Sequence, residues 1–327
     1  MKISTFFILA MLVFIPGCGE HFIFINVKPD AGYTIEFISK GDSTDVFDDD
    51  FPHPTAGDKW AKHIWSDRTK DDTTWIMETR GYIQSGVSFN ILNDGIGSLI
   101  HPVNVNIKNR WISTLYTAQY IFKGREIYRK YPRLGESIET SVSIDSVEWV
   151  TEALVYILSS ALKDISRDRS STITPFMVER ITTHVRNYAE RVRSKKIVIE
   201  LSEEKIEFLK KLMRPFRDDL SYEFYNILNK AMHQYEEEWR ITTGLQDDIF
   251  HFHLTMPGLV TRSNADTIAG DTLKWTFELG DFAGDDHTME AVSVIYNTKH
   301  IQRISLFLMM FGLSFWLFLW FTVFRKT

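Results

Sequence analysis

Twenty-one consecutive uncharged residues, Ile304 to Phe324, constrain this chain more than any other feature of it. At about 1.5 Å of rise per residue they reach about 31 Å as a helix, which matches a bilayer hydrocarbon core of about 30 Å. Thirteen of them are Leu, Ile, Phe or Val, each contributing roughly −0.3 to −0.6 kcal/mol on membrane insertion, so a transmembrane helix over 304–324 is expected. Lys299 and Arg303 precede the span while Arg325 and Lys326 follow it, so flanking charge does not set the orientation.

The opposite end sets it. Residues 1–17 have the plan of a bacterial lipoprotein signal peptide: Lys2, an apolar stretch from Phe6 to Ile15 too short to span comfortably, then Ile15-Pro16-Gly17 before Cys18. That tetrapeptide resembles a lipobox. Cys18 is the chain's single cysteine, so an exported chain can form no internal disulfide, and the thiol stands where diacylglyceryl transfer and acylation (palmitate) require it. Lipidation at Cys18 is expected. Export places the bulk of the chain on the extracytoplasmic side of the bacterial cytoplasmic (inner) membrane. It leaves 325–327 as a cytosolic tail and membrane lipid as the first expected partner. The spanning helix already suffices for retention, so the lipid at Cys18 is assigned the role of holding the first strand close to the bilayer.

Between the two ends lie all 43 acidic residues and all but three of the 37 basic ones, a formal charge of about −9. An acidic domain of this size gives no electrostatic case for nucleic acid. It is long enough to bury a proper core.

Period-2 alternation marks half-buried strands through this region. Tyr33, Ile35 and Phe37 alternate with polar residues, as do Val87, Phe89 and Ile91, then Val103, Val105 and Ile107, and most clearly Leu273, Trp275, Phe277 and Leu279. The stretch Phe22–Val27 is apolar on both faces and meets the Tyr33 strand across Pro29-Asp30-Ala31-Gly32, which predicts an opening hairpin. Further strands are predicted near 74–80, 111–122, 249–256 and 289–296.

From about Asp145 to Gly244 the period becomes helical. Asp145 and Glu148 read as a capping box, Thr174-Pro175 as an N-cap and first turn, Ser202 with Glu203 and Glu204 as a third helix start, Pro215 as its end or kink, and Gly244 as a C-cap. The predicted architecture is α+β: an antiparallel β-rich domain over 18–144 and 246–299, an all-helical insertion over 145–245, and one C-terminal transmembrane helix.

Met256-Pro257-Gly258, then Asn264, Gly270 and Trp275, followed by a strand, a polar stretch and the terminal span, resemble the LppM-type bacterial lipoprotein family. The resemblance covers residues 18–40 and 250–324. It implies an envelope-facing α+β domain and supplies no catalytic residues.

Four groups of residues bear on chemistry. His251 and His253, two apart on a strand, project from one face as a zinc pair would, but the alternation of Phe250, Phe252 and Leu254 makes theirs the solvated face, and no third ligand stands near. His233 and His287 could join them only through the fold. Asp42, Asp45, Asp48, Asp49 and Asp50 lack calcium-loop spacing and read as a solvated loop ending in Phe51-Pro52-His53-Pro54, with weak cation binding as the alternative. Gly95-Ile96-Gly97 lacks the third glycine of a dinucleotide fingerprint and reads as a loop. Arg180, Arg186, Arg191, Arg193, Lys195 and Lys196 form a basic stretch that is either a solvated face or a contact for anionic headgroups and wall polymers.

No catalytic motif with defined spacing occurs, so no catalytic, metal or cofactor site is assigned. The expectation is a membrane-anchored envelope lipoprotein that is not an enzyme. It would act as a binding or scaffold module for lipid, glycan or a partner protein, with residues 145–245 as a surface for a membrane-protein partner. The alternative is an envelope hydrolase or transferase using an unrecognised carboxylate or histidine site.

Overall fold

A computed structural model describes residues 19–48, 50–51, 53–57, 59–68, 73–87, 103–140, 146–168, 173–191 and 205–324. Cys18 and the signal segment, the strand expected over Phe89 and Ile91, Gly95–Gly97, Asp145, Ser202–Glu204, the basic residues from Arg193 to Lys196 and the tail 325–327 lie outside the described residues.

The predicted hairpin opens the domain. Strands β1 (Glu20–Val27) and β2 (Tyr33–Gly41) pair antiparallel from Glu20↔Lys40 to Val27↔Tyr33. In the turn, Ala31 donates to the Lys28 carbonyl at 2.9 Å and carries the left-handed backbone (φ 62°), while the Asp30 carboxylate accepts from the Gly32 amide at 3.0 Å. A short helix α1 (Ser43–Phe47) follows, capped reciprocally by Asp42 and Asp45.

Seven strands form the larger sheet: β3 (Trp60–Arg68), β4 (Thr73–Ile83), β2, β1, β7 (Ile249–Thr255), β10 (Thr272–Glu278) and β9 (Thr267–Ala269), in that spatial order. The smaller sheet orders β5 (Asn104–Asn109), β6 (Ser113–Phe122), β11 (His287–Tyr296) and β8 (Leu259–Ser263). Pairing is antiparallel throughout the described strands except between β1 and β7, which run parallel from Glu20↔Ile249 to Asn26↔Thr255. One edge of β1 is taken by β2. The other receives a strand that returns after the whole helical block, the long crossover that a parallel pair needs.

The two sheets face each other across one core. Tyr120 stacks on Phe252 at 4.7 Å, and Phe122 meets Phe250 and Phe277 at 5.1 Å each. These aromatic contacts join strands from both sequence halves of the β-rich region.

The helical block between the two β-rich segments opens at Ile127, ahead of the expected boundary at 145. Helices α2 (Ile127–Lys130) and α3 (Pro132–Thr140) are too short to show a periodic pattern, although Pro132 stands in the first position that favours it. They are followed by α4 (Ser146–Arg167), α5 (Pro175–Arg191), α6 (Lys205–Leu212) and α7 (Phe224–Gly244). Thr174 caps α5 through the Met177 amide at 3.3 Å, and Pro215 lies in the 3₁₀ turn Arg214–Phe216 that succeeds α6. Tyr131 packs edge-on against Tyr156 and Trp239, and the buried Arg125 donates to the Glu238 carbonyl at 3.1 Å and to Thr242 Oγ1. The helices therefore share the core of the sheets.

Gly244 is not a left-handed C-cap. Its φ is −63° and the chain continues into the 3₁₀ turn Leu245–Asp247. Glycine is needed here for space, because a Cβ would stand 2.5 Å from Asp50 Oδ2.

The last helix, α8 (Thr298–Phe324), leaves β11 directly, with the Asn297 amide donating to the Ile112 carbonyl at 2.9 Å. Its window Thr298–Phe321 is long and apolar enough to cross a membrane, and none of it is buried against the domain.

Candidate functional site

Alternation gives the seven-stranded sheet two chemically different faces. On the outer one, the parallel register sets Phe22 beside His251 and Phe24 beside His253. Phe22 stacks on His251 at 4.7 Å, Phe24 meets His253 edge-on at 4.8 Å, and the two phenyl rings lie 6.2 Å apart. His251 Nδ1 is hydrogen-bonded to Thr276 Oγ1 at 3.3 Å. Each imidazole is thus matched to its own phenyl ring, and His233 and His287 do not join them: His287 stacks on Phe277 at 4.7 Å.

Beside this aromatic ladder the twisted sheet forms a concavity of about 480 Å³, lined among others by Phe24, Asn26, Glu36, Arg80, His253 and Lys274. A second, of about 500 Å³, lies over Ala61 and Tyr82 and shares Thr34 and Arg80 with the first. Together they make a shallow trough across β10, β7, β1, β2, β4 and β3. Burial and then the Lys274 ammonium lower the pKa of His253, which favours a neutral ring with one donor and one acceptor. Burial, with Glu78 adding to it, raises the carboxyl of Glu36.

The inner face carries a polar chain that the sequence reading did not single out. His21, in the same strand as Phe22 but pointing the other way, is 1% exposed. Its Nδ1 is hydrogen-bonded to Ser39 Oγ at 2.8 Å, Ser39 Oγ to His53 Nε2 at 2.8 Å, and His53 Nδ1 to Thr79 Oγ1 at 2.9 Å. On its other side, His21 Nε2 lies 3.2 Å from Asp248 Oδ2. Asp50 completes a group in which the ligand atoms of His21, Asp50 and Asp248 all lie within 4.8 Å of one another.

This corrects the reading of 42–50 as a solvated loop. Asp42 and Asp45 are indeed spent on capping α1, but Asp50 is 3% exposed. The neighbouring Phe51 is the cause. Its ring packs against His21 at 4.4 Å, Phe250 at 5.8 Å and Phe37 at 6.2 Å, and it takes the preceding carboxylate into the interior with it. Burial, reinforced by Asp48 and Asp248, holds the Asp50 carboxyl well above its ordinary pKa. Burial also pushes His53 down to about 3, so its ring is neutral.

No family model matches the chain, and no curated protein matches it. Among solved structures, the NMR structure of the folded domain of the Mycobacterium tuberculosis LppM protein aligns with 88% of this chain and 96% of its own at 11% identity. The TM-score is 0.29, so the likeness is weak, and the α+β architecture stands on this chain's own residues.

Proposed function

We propose that this chain is a membrane-tethered envelope lipoprotein without catalytic activity, a binding module whose outer sheet face receives a glycan. The trough carries the reading. Sugar rings present C–H faces and hydroxylated edges; Phe24 offers an aromatic face to the first, and Asn26, Glu36, Arg80 and Lys274 offer donors and acceptors to the second. An acyl ligand is better served by an enclosed, mostly apolar pocket. Ser39, His21 and Asp248 have the connectivity of a nucleophile, imidazole and carboxylate, but Ser39 is 2% exposed, which supports the non-catalytic reading. The apolar α8 supports a membrane anchor, with Cys18 as the lipidation site and the domain on the extracytoplasmic side.

The test is titration of the full-length protein in mild detergent with a soluble muramidase digest of peptidoglycan. Saturable binding weakened at least tenfold by Phe24→Ala or Arg80→Ala is expected. Vesicle lipid binding in place of any digest fragment would sink the glycan assignment. For the anchor, Cys18→Ser should leave the protein in the membrane through α8 but alter its protease-accessibility pattern in spheroplasts; an unchanged pattern removes the orienting role of the lipid.

A protein partner on the helical block is the second reading, favoured by Phe176 and Tyr222, which are 69% and 75% exposed. Crosslinks concentrated on that block would support it.

A further inference from the structure

We propose that His21, Asp50 and Asp248 bind one zinc ion in a buried site independent of the outer trough, with its fourth position open to water.

The spacing is the first argument. A charge-assisted hydrogen bond between an imidazole N–H and a carboxylate normally measures about 2.7–2.9 Å. His21 Nε2 and Asp248 Oδ2 make a long hydrogen bond of 3.2 Å, a separation also close to the edge of a tetrahedron with metal–ligand bonds of about 2.0–2.1 Å, which is about 3.3 Å. Asp50 presents a third atom within the same small volume. Asp48 stands outside this group, its Oδ1 accepting from the Asp50 backbone amide at 3.2 Å.

The surroundings fix the imidazole as a ligand requires. A metal on Nε2 places the ring proton on Nδ1, which then donates to Ser39 Oγ. Ser39 in turn donates to His53 Nε2, and His53 donates from Nδ1 to Thr79 Oγ1, so the hydrogens of His21, Ser39 and His53 each have an acceptor. Outer partners of this kind orient metal-bound histidines and set their tautomer. The backbone makes room as well. A Cβ on Gly19 would collide with Asp248 Oδ1 and one on Gly244 with Asp50 Oδ2, so both carboxylates rest on glycines.

Charge is the third argument. Two carboxylates, Asp50 and Asp248, are buried side by side, where like charges are costly. The nearby Arg240 donates from Nη2 and Nε to Glu237, at 2.7 and 3.3 Å, and from Nη1 to the Asp48 carbonyl. None of these bonds reaches a carboxylate of the cluster. Arg240 therefore acts on Asp50 only through space, and a divalent cation would add positive charge bonded directly to both buried carboxylates. The imidazole and the small, buried ligand set fit zinc better than calcium or magnesium, which take six or more oxygens or retain several waters. Such an ion would join the first residues of β1, the segment after α1 and the start of β7, three places far apart in the sequence.

Full-length protein in detergent, stripped with EDTA and dialysed, is to be titrated with zinc chloride. One equivalent per chain is expected, with a rise in melting temperature of roughly 5–15 °C at saturating zinc. Asp248→Asn and His21→Gln should each weaken binding at least a hundredfold, whereas the His251→Gln/His253→Gln double variant should bind as the parent does. Because the buried variants can misfold, X-ray absorption of the zinc-loaded parent gives a separate reading: one imidazole with oxygen ligands is expected. Two imidazoles, loss of zinc in the surface double variant, undiminished binding in Asp248→Asn, or no stoichiometric zinc in the parent would each overturn the assignment.

Discussion

The two faces of the seven-stranded sheet are built by the same strands and differ in nearly everything else. In β1, His21 points inward and Phe22 outward; in β7, Phe250 and Phe252 point inward while His251 and His253 point outward. Histidine inside is tied at both nitrogens into a chain of side chains. Histidine outside is laid against a single phenyl ring with solvent beside it. The difference teaches that residue type carries little functional meaning until the face is known, because one residue of register exchanges a core position for a surface one.

Breaking the inner face should have the largest effect. Phe250 is fully buried among Phe51, Phe122, Phe277 and Phe282. Phe250→Ala removes a ring from that packing and should destabilise the protein by about 3–5 kcal/mol in urea unfolding followed by tryptophan fluorescence. A cost under about 1 kcal/mol would mean that the two sheets are not packed as described.

A pH experiment sharpens the contrast between inner and outer histidines. His53 has its folded pKa lowered to about 3, against about 6.5 in an unfolded chain. Below pH 6.5 the unfolded chain takes up a proton that the folded one refuses, so the stability that His53 contributes is whole above pH 6.5 and falls by about 1.4 kcal/mol per unit towards pH 3. The stability gap between the parent and His53→Gln should therefore narrow by about 2 kcal/mol from pH 6.5 to pH 5. The carboxyls of Asp50 and Asp48, raised by burial, act in the opposite sense but are present in both proteins. For His253→Gln the narrowing should be smaller, since His253 is less buried. Equal slopes for the two would erase the distinction between the faces.

The outer face was largely legible in the sequence, and the inner site was not. Alternation through Phe250–Leu254 placed His251 and His253 on the solvated face, and the Phe22–Val27 stretch, apolar on both sides, is now seen to sit at the centre of the sheet with its phenyl rings on imidazoles. The terminal helix declared itself by length and apolar composition. Strands β3, β8 and β9 escaped because short or edge strands bury little and so show no alternation: nearly every residue of β3 is exposed. His21, Asp50 and Asp248 escaped for a different reason. No local period links them; the parallel pairing of β1 with β7 and the burial of Phe51 bring them together, and both are products of topology. A usable signal was present in Phe51-Pro52-His53-Pro54, whose apolar and aromatic character argued that the acidic stretch ends against a core.

The smallest expected effect is the one that separates stability from function. Phe24 is half-buried on the outer face, so Phe24→Ala should cost about 1 kcal/mol or less in urea unfolding, far below Phe250→Ala, because its neighbours there can be rehydrated. Its ring is nevertheless the aromatic wall of the trough, and binding of the glycan probe should fall at least tenfold. A variant that loses several kcal/mol would make the outer face a second core, covered in the cell by something other than a soluble sugar. One that loses neither stability nor binding would move the receptor surface away from β1, towards Ala61 and Tyr82 at the other end of the trough.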